Sequence, residues 1–402
     1  MTAFEKLNIS KEILKVIEEE AFKRPTLIQE KAIPIILEGK DIIGKSATGT
    51  GKTLAFACGI IQDCVKNEGI QALVLLPTRE LANQVGSEIK KYAKYTDLNV
   101  ATIFGGKKIE SEFEKVKNSE ILVGTPGRVM DHLKRKTLDL SFLKILVLDE
   151  ADLLIENDFI EDVSFIIENC NEERQDMLFS ATFSEKVQKL AKTYMNNPIL
   201  VESKHKEIEK KKLNQFYYLL DNNQKLSLLI YFLKNYPSGL NIVFANRQES
   251  AKIIWKNIKA KTDLNAEILH SDVSQGKRNR IMKSFKNQEF DVLVTTDIAG
   301  RGLDVDNVSH IYNYSIPSDA KKYIHRIGRT ARAGASGTVI NFISENDEKK
   351  FLTIVNDFKI KCNRKQLPQF EEIEVKSIYD KKKKNKIRRE KAKENRKKFG
   401  LE

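Results

Sequence analysis

Short apolar runs recur along most of the chain, separated by stretches in which apolar positions return every three or four residues. In the first half the runs are Asp41–Lys45, Gln71–Leu76, Val100–Phe104, Ile121–Val123, Lys144–Leu148 and Asp176–Phe179. Runs of this kind without alternation suit strands covered on both faces, whereas Lys11–Ile17, Leu27–Pro34 and Leu54–Gln62 have helical period. The alternation predicts an α/β fold, a mostly parallel sheet flanked by helices. It breaks after Val201 into the charged stretch Glu202–Lys212. A second series then begins with Asn214–Leu220 and continues through Asn241–Asn246, Ala266–His270, Asp291–Thr295, His310–Tyr314 and Thr338–Ile343. The pattern predicts tandem domains at residues 1–203 and 213–365, a short polar linker at 204–212 and a basic, flexible tail at 366–402. A length of 402 residues agrees, because single cores seldom grow beyond about 250 to 300 residues.

Composition adds two points. No apolar run approaches the roughly 18 residues of a membrane span, and Met1–Lys6 lacks the charged-then-apolar order of a signal peptide; we therefore expect a cytoplasmic protein with no membrane partner. Cys58, Cys64, Cys170 and Cys362 form no CxxC pair and read as reduced, structural thiols. The net charge of +13 is concentrated between Lys376 and Lys398, which carry +10 and leave the body nearly balanced. A basic tail on a balanced body points to a polyanion, nucleic acid above all, with a purely solubilising tail as the alternative.

The candidate chemistry begins at Ser46-Ala47-Thr48-Gly49-Thr50-Gly51-Lys52-Thr53, between a strand and a helix. Gly49 and Gly51 allow backbone N–H groups to turn onto phosphate oxygens at the positive end of the helix. Lys52 can then reach the β- and γ-phosphates, and Thr53 can offer its hydroxyl to Mg²⁺. Ser46 stands where the phosphate-loop pattern has its first glycine. Asp149-Glu150-Ala151-Asp152 closes a later strand, and a phosphate cradle with a strand-end acidic pair makes the two halves of a Mg–nucleotide site. Thr26 is placed to cap the helix that follows it, and the Gln29 amide has the donor and acceptor edges that match adenine, although a solvated helix residue is the plainer reading.

Phe4, Phe22-x-x-Pro25-Thr26-x-x-Gln29, the phosphate loop and Asp149–Asp152 together resemble the DEAD-box RNA helicases of helicase superfamily 2. Further blocks fall in that family's order: Pro77-Thr78-Arg79 with the residues to Ala82, Gly105-Gly106, Thr125-Pro126-Gly127-Arg128, and Ser180-Ala181-Thr182. The second half adds Gln275-x-x-Arg278, the segment Thr295–Asp304 and the segment His325–Arg332. Five positions depart from the family pattern without removing a reacting side chain. They are Ala21, Leu27, the pair Ser46-Ala47, and Ala331, which stands where the family often has the glycine before Arg332.

The resemblance implies two tandem RecA-like domains, ATP and Mg²⁺ as cofactors, and RNA as partner, bound as single strand and short duplex without sequence preference. It implies that Phe4 stacks on adenine beside Phe22, Thr26 and Gln29, and that Gly302 and Asp304 lie at the nucleotide, with Asp304 on the ribose. Asp149 would act with Thr53 on the metal, and Glu150 would orient the attacking water. Arg329 and Arg332 would reach the γ-phosphoryl group on domain closure, a contribution worth about 10³ to 10⁵ in rate in nucleotide hydrolases. Pro77, Thr78, Arg79, Gly105, Gly106, Thr125, Gly127, Arg128, Asn246, Arg247, Arg278 and Thr296 would line the RNA. Asp152, Ser180, Thr182 and His325 would couple the two activities. The activity implied is RNA-stimulated ATP hydrolysis with local duplex unwinding and remodelling. An ATP-locked RNA clamp and a DNA-translocating helicase are the other readings.

Overall fold

The computed structural model describes residues 3–46, 50–156, 159–202, 213–236, 239–297, 308–317, 320–330, 336–357 and 360–374. The chain divides into two compact units, Met1–Glu207 and Ile208–Glu402. The linker expected at 204–212 lies outside the described residues.

Unit 1 contains strands β1 (Ile42–Lys45), β2 (Ala72–Leu75), β3 (Val100–Ile103), β4 (Ile121–Gly124), β5 (Ile145–Leu148), β6 (Gln175–Ser180) and β7 (Ile199–Glu202). They form one parallel sheet in the order β3-β4-β2-β5-β6-β1-β7. The unbroken apolar runs have a direct cause in the two-residue period of a strand. Ala72, Val74, Ile145 and Val147 enter one core, while Leu73, Leu75, Leu146 and Leu148 enter the other. Both faces are covered, so neither set of alternate positions can be polar.

Unit 2 repeats the plan with β8 (Leu213–Leu219), β9 (Leu240–Ala245), β10 (Ala266–Leu269), β11 (Val292–Thr296), β12 (Val308–Asn313), β13 (Gly337–Ile343) and β14 (Asn363–Arg364). Its parallel order is β10-β11-β9-β12-β13-β8-β14, again between two cores, with Ile242 and Phe244 facing one and Val243 and Ala245 the other. All four cysteines are free, and burial pushes the Cys64, Cys170 and Cys362 thiols up to about 12.

Two local features differ from the expectation. The helical run given above as Leu27–Pro34 extends one turn further, to Leu37. Residues 366–374, assigned above to the tail, lie along the helix Lys225–Asn235. Phe370 and Ile373 pack on that core, and the Ile373 N–H donates to Ser227 Oγ at 3.1 Å. Two apolar side chains within an acidic stretch are enough to hold this segment down; the tail beyond Glu374 lies outside the described residues.

Candidate active site

In unit 1 the chemistry-bearing blocks from Ser46 onward follow the carboxyl ends of strands, while the Phe22–Gln29 block precedes β1 at a helix start. Ser46 follows β1, Thr78 and Arg79 follow β2, Gly105 and Gly106 follow β3, Thr125 follows β4, Asp149 and Glu150 follow β5, and Ser180 ends β6. Because all seven strands are parallel, these ends share one edge, where open α/β sheets receive ligands.

The loop at Thr50–Gly51 is braced from below by the Thr26 helix start. Gly51 has φ +86° and precedes the helix Lys52–Asp63. A Cβ there would come 2.4 Å from Gln29 Nε2, so glycine is required by both backbone and space. Gln29 Nε2 donates to the Gly51 carbonyl at 2.9 Å, and its Oε1 accepts from the Thr26 N–H at 2.8 Å. The Thr26 hydroxyl donates to the Thr50 carbonyl at 2.7 Å. The donor edge of the amide expected to read adenine therefore holds the phosphate loop, and its acceptor edge caps the Thr26 helix start. Ser46 is tied to β6 by its N–H on the Ser180 carbonyl at 3.0 Å, and its buried Oγ has no partner among the described residues. Ala47, Thr48 and Gly49 lie outside them.

Lys52 is 5% exposed and sits between two acids, 3.0 Å from Asp149 Oδ1 and 2.9 Å from Glu150 Oε1. Burial alone would lower its pKa, but the two carboxylates outweigh it and hold the ammonium above the usual lysine range. Burial pushes the Asp149 carboxyl up, Lys52 opposes this, and Glu150 adds to the rise. One ammonium for two buried acids is a donor set that accepts more positive charge. Among the described residues no group of three or more His, Cys, Asp or Glu could hold a metal alone. Mg²⁺ suits such a place, because it binds through one or two carboxylates with waters and substrate phosphates. Thr53 stands beside Lys52 on the first helical turn. Glu150 takes φ +53°, a left-handed conformation that costs a residue with a Cβ about 1–2 kcal/mol, immediately before the helix Ala151–Glu156. Strain of this kind gathers at functional sites.

Asp152, Ser180 and Thr182 are joined directly. Asp152 Oδ2 accepts from the Thr182 N–H at 2.9 Å and from its hydroxyl at 2.7 Å, and the Asp152 N–H donates to Ser180 Oγ at 3.3 Å. The helix Arg79–Tyr92 is capped by Thr78 Oγ1, which accepts from the Leu81 N–H. The Arg79 guanidinium covers the glycine pair: a Cβ on Gly106, whose φ is +99°, would meet Arg79 Nη1 at 2.3 Å.

Two of the expected site residues are turned inward. Phe4 is 2% exposed and packs in the core; the exposed aromatic of this region is Phe22, at 40%. Arg128 is turned inward, with Nη2 donating to the Lys107 carbonyl at 2.5 Å and Nε 3.4 Å from Glu112. Thr125 precedes its helix, Pro126–Lys134, which Gly127 continues.

In unit 2, Thr296 is buried at the end of β11, Arg278 is buried on the helix Gln275–Lys286, and exposed Arg247 precedes the helix Gln248–Lys261. Arg329 is also buried, its Nε donating to the His325 carbonyl at 3.1 Å. Gly302, Asp304 and Arg332 lie outside the described residues. The residue that reading the sequence passed over is Arg326, 2% exposed and adjacent to half-buried His325. Its guanidinium forms a fork on Asp297, with Nη2 at 2.8 Å from Oδ2, and donates to Asn246 Oδ1, Asn313 Oδ1 and the Ser315 carbonyl. The one available signal was its place beside Ile327 and three residues after Tyr323, both buried.

Comparison with known proteins agrees with this arrangement. Residues 26–190 match the DEAD/DEAH box helicase family and residues 224–334 the helicase conserved C-terminal domain. The chain is 39% identical over 374 residues to the DEAD-box ATP-dependent RNA helicase CshA of Geobacillus kaustophilus, covering 92% of this chain and 80% of that protein. Among solved structures it is similar to S. cerevisiae Dbp5 bound to RNA and ADP BeF3, with a TM-score of 0.79 and 30% identity over 91% of this chain and 96% of that one. It is also similar to Mss116p bound to ssRNA and AMP-PNP, with a TM-score of 0.80 and 30% identity over 91% of this chain and 78% of that one.

Proposed function

The chain belongs to the DEAD-box family of ATP-dependent RNA helicases, ATP-hydrolysing enzymes that bind RNA, and on that premise we propose how its own residues divide the work. Lys52 gives up its carboxylate partners to the β- and γ-phosphates of ATP as the nucleotide enters. Thr53 and Asp149 would hold a Mg²⁺ that neutralises charge on those phosphates. Glu150 orients the attacking water and takes its proton, a role supported by its left-handed backbone and its place beside Lys52. Arg329 and Arg332 would supply the remaining positive charge to the γ-phosphoryl group.

RNA lies along Pro77, Thr78, Arg79, Gly105, Gly106, Thr125 and Gly127 in unit 1, and along Asn246, Arg247, Arg278 and Thr296 in unit 2. Contacts of this type grip the backbone and carry no sequence information. Asp152, Ser180 and Thr182 transmit closure between the acids and this edge, with His325 as their counterpart. Gly302 and Asp304 complete the nucleotide pocket, with Phe22 in place of Phe4 as the stacking aromatic. The cytoplasm is the proposed site of action, supported by four free cysteines and by the absence, among the described residues, of a helix long and apolar enough to cross a membrane.

The observation that carries this reading is Lys52 held between Asp149 and Glu150 at the end of β5. The test is multiple-turnover phosphate release with and without single-stranded RNA at low salt, alongside Glu150→Gln. RNA should raise wild-type turnover several-fold, and the variant should lose about 10²- to 10⁴-fold in rate while still binding ATP. Negligible wild-type turnover with RNA present would favour an ATP-locked clamp.

A further inference from the structure

Two residues one turn apart on the helix Pro126–Lys134, Arg128 and His132, face the same buried carboxylate. Glu112 is 4% exposed and ends the 3-10 turn Ile109–Glu112. Its Oε2 lies 3.4 Å from Arg128 Nε and 3.3 Å from His132 Nε2. The other imidazole nitrogen is 2.9 Å from Thr137 Oγ1, and the Phe113 ring meets the imidazole edge-on. Arg128 also has Nη1 3.8 Å from Asp131 and Nη2 on the Lys107 carbonyl. Lys107 follows the glycine pair that Arg79 covers. A continuous line of contacts thus runs from Glu112 through Arg128 to the turn beneath Arg79.

A carboxylate is tolerated at this depth only when it is paired and hydrogen-bonded. The pairing also draws Arg128 inward and leaves its fork on a backbone carbonyl in place of a phosphate. We propose that Glu112 is a positioning residue for RNA: by holding Arg128 it fixes the Lys107 carbonyl, and with it the Gly105–Gly106 turn that faces Arg79. This rests on the RNA path proposed above at Arg79, Gly105, Gly106 and Thr125. In that path Arg128 is a strut, and Arg79 is the arginine of this edge that meets phosphate.

The test titrates single-stranded RNA against ATP hydrolysis by the full-length protein and compares Glu112→Ala, Arg128→Ala, their double variant and Arg79→Ala. In Glu112→Ala the RNA concentration for half-maximal stimulation should rise about tenfold, the scale of one charge-assisted hydrogen bond. Turnover at saturating RNA and RNA-free affinity for a fluorescent ATP analogue should stay at wild-type values. A merely structural role would lower all three together, and that result overturns the proposal. The double variant should be no worse than Arg128→Ala; additive losses overturn it too. If Glu112→Ala does not fold, Arg128→Lys carries the test, because it keeps a cation on Glu112 but cannot also reach the Lys107 carbonyl. It should show the same weakening, and wild-type RNA dependence would overturn the proposal. Loss of RNA dependence in Arg79→Ala with none in Glu112→Ala rejects Glu112 and leaves the path standing. No loss in either rejects the path and the inference with it.

Discussion

Gln29 has one donor edge and one acceptor edge, and two groups compete for them. The structure engages both with backbone, on Gly51 and Thr26. If the amide acts through the phosphate loop, its loss weakens every nucleoside triphosphate alike. Gln29→Ala leaves the Gly51 carbonyl and the Thr26 N–H without these partners, which costs about 1–3 kcal/mol and is felt where the phosphates bind. Equilibrium titration should show ATP and GTP affinities both falling about tenfold or more. A loss confined to ATP would instead assign Gln29 to adenine reading. The phosphate loop and acidic pair were legible in sequence because reacting residue types at that fixed spacing suit little besides a Mg–nucleotide site. The burial of Phe4 was not, since an aromatic at a given position is compatible with a core or a stacking role. The inward turn of Arg128 was hidden for a related reason: its buried partner, Glu112, belongs to a different segment, and a carboxylate in a polar stretch gives no sign of its depth.

At the scale of elements, unbroken apolar runs gave away strands that are covered on both faces, and the tandem repetition of those runs gave away two sheets. Sheet order and the polar ties across strand ends leave weaker marks. Arg326 binds groups that follow β9, β11 and β12, namely Asn246, Asp297 and Ser315, together with Asn313 at the end of β12. It also stacks on the Phe244 ring at 5.0 Å. One buried guanidinium thus holds the ligand-side ends of three adjacent strands in register. Truncating it leaves Asp297, whose side chain is 19% exposed, without its bidentate partner, and losing a hydrogen bond to a charged group costs about 1.5–3 kcal/mol. Trp255, the single tryptophan, belongs to unit 2 and donates to the Ala266 carbonyl, so its fluorescence reports that unit. Arg326→Ala should lower the urea midpoint of the Trp255 transition by an amount matching that cost. A midpoint within error of wild type would show that water replaces the fork at little cost. Arg326→Lys should recover only part of the loss, because a point charge cannot make the fork.

At the scale of the whole chain, charge is placed where the two sheets are not. The stretch Lys376–Lys398 carries +10 of the net +13, immediately after a segment held to unit 2 by Phe370 and Ile373. That attachment fixes Glu374, the last described residue, on unit 2, so if the basic stretch beyond it engages RNA its cations would act as a tether from that point. Tethering raises the local concentration of a polyanion without adding contacts at the site. Backbone contacts release counterions, and for single strands the logarithm of affinity falls with log salt by about 0.7 per phosphate neutralised. Ending the chain after Asp380 removes twelve Lys or Arg. If the tail engages RNA, the shortened protein should bind long single strands more weakly at low salt, with a salt slope shallower by about 0.7 for each phosphate no longer neutralised. Turnover at saturating RNA should be unchanged, because no residue of the proposed active site is removed. Short oligonucleotides that fill only the strand-end edge should bind both forms alike, which separates a tether from a part of the site. Equal affinities and equal slopes for long RNA would sink the tether and leave the charge with a solubilising role.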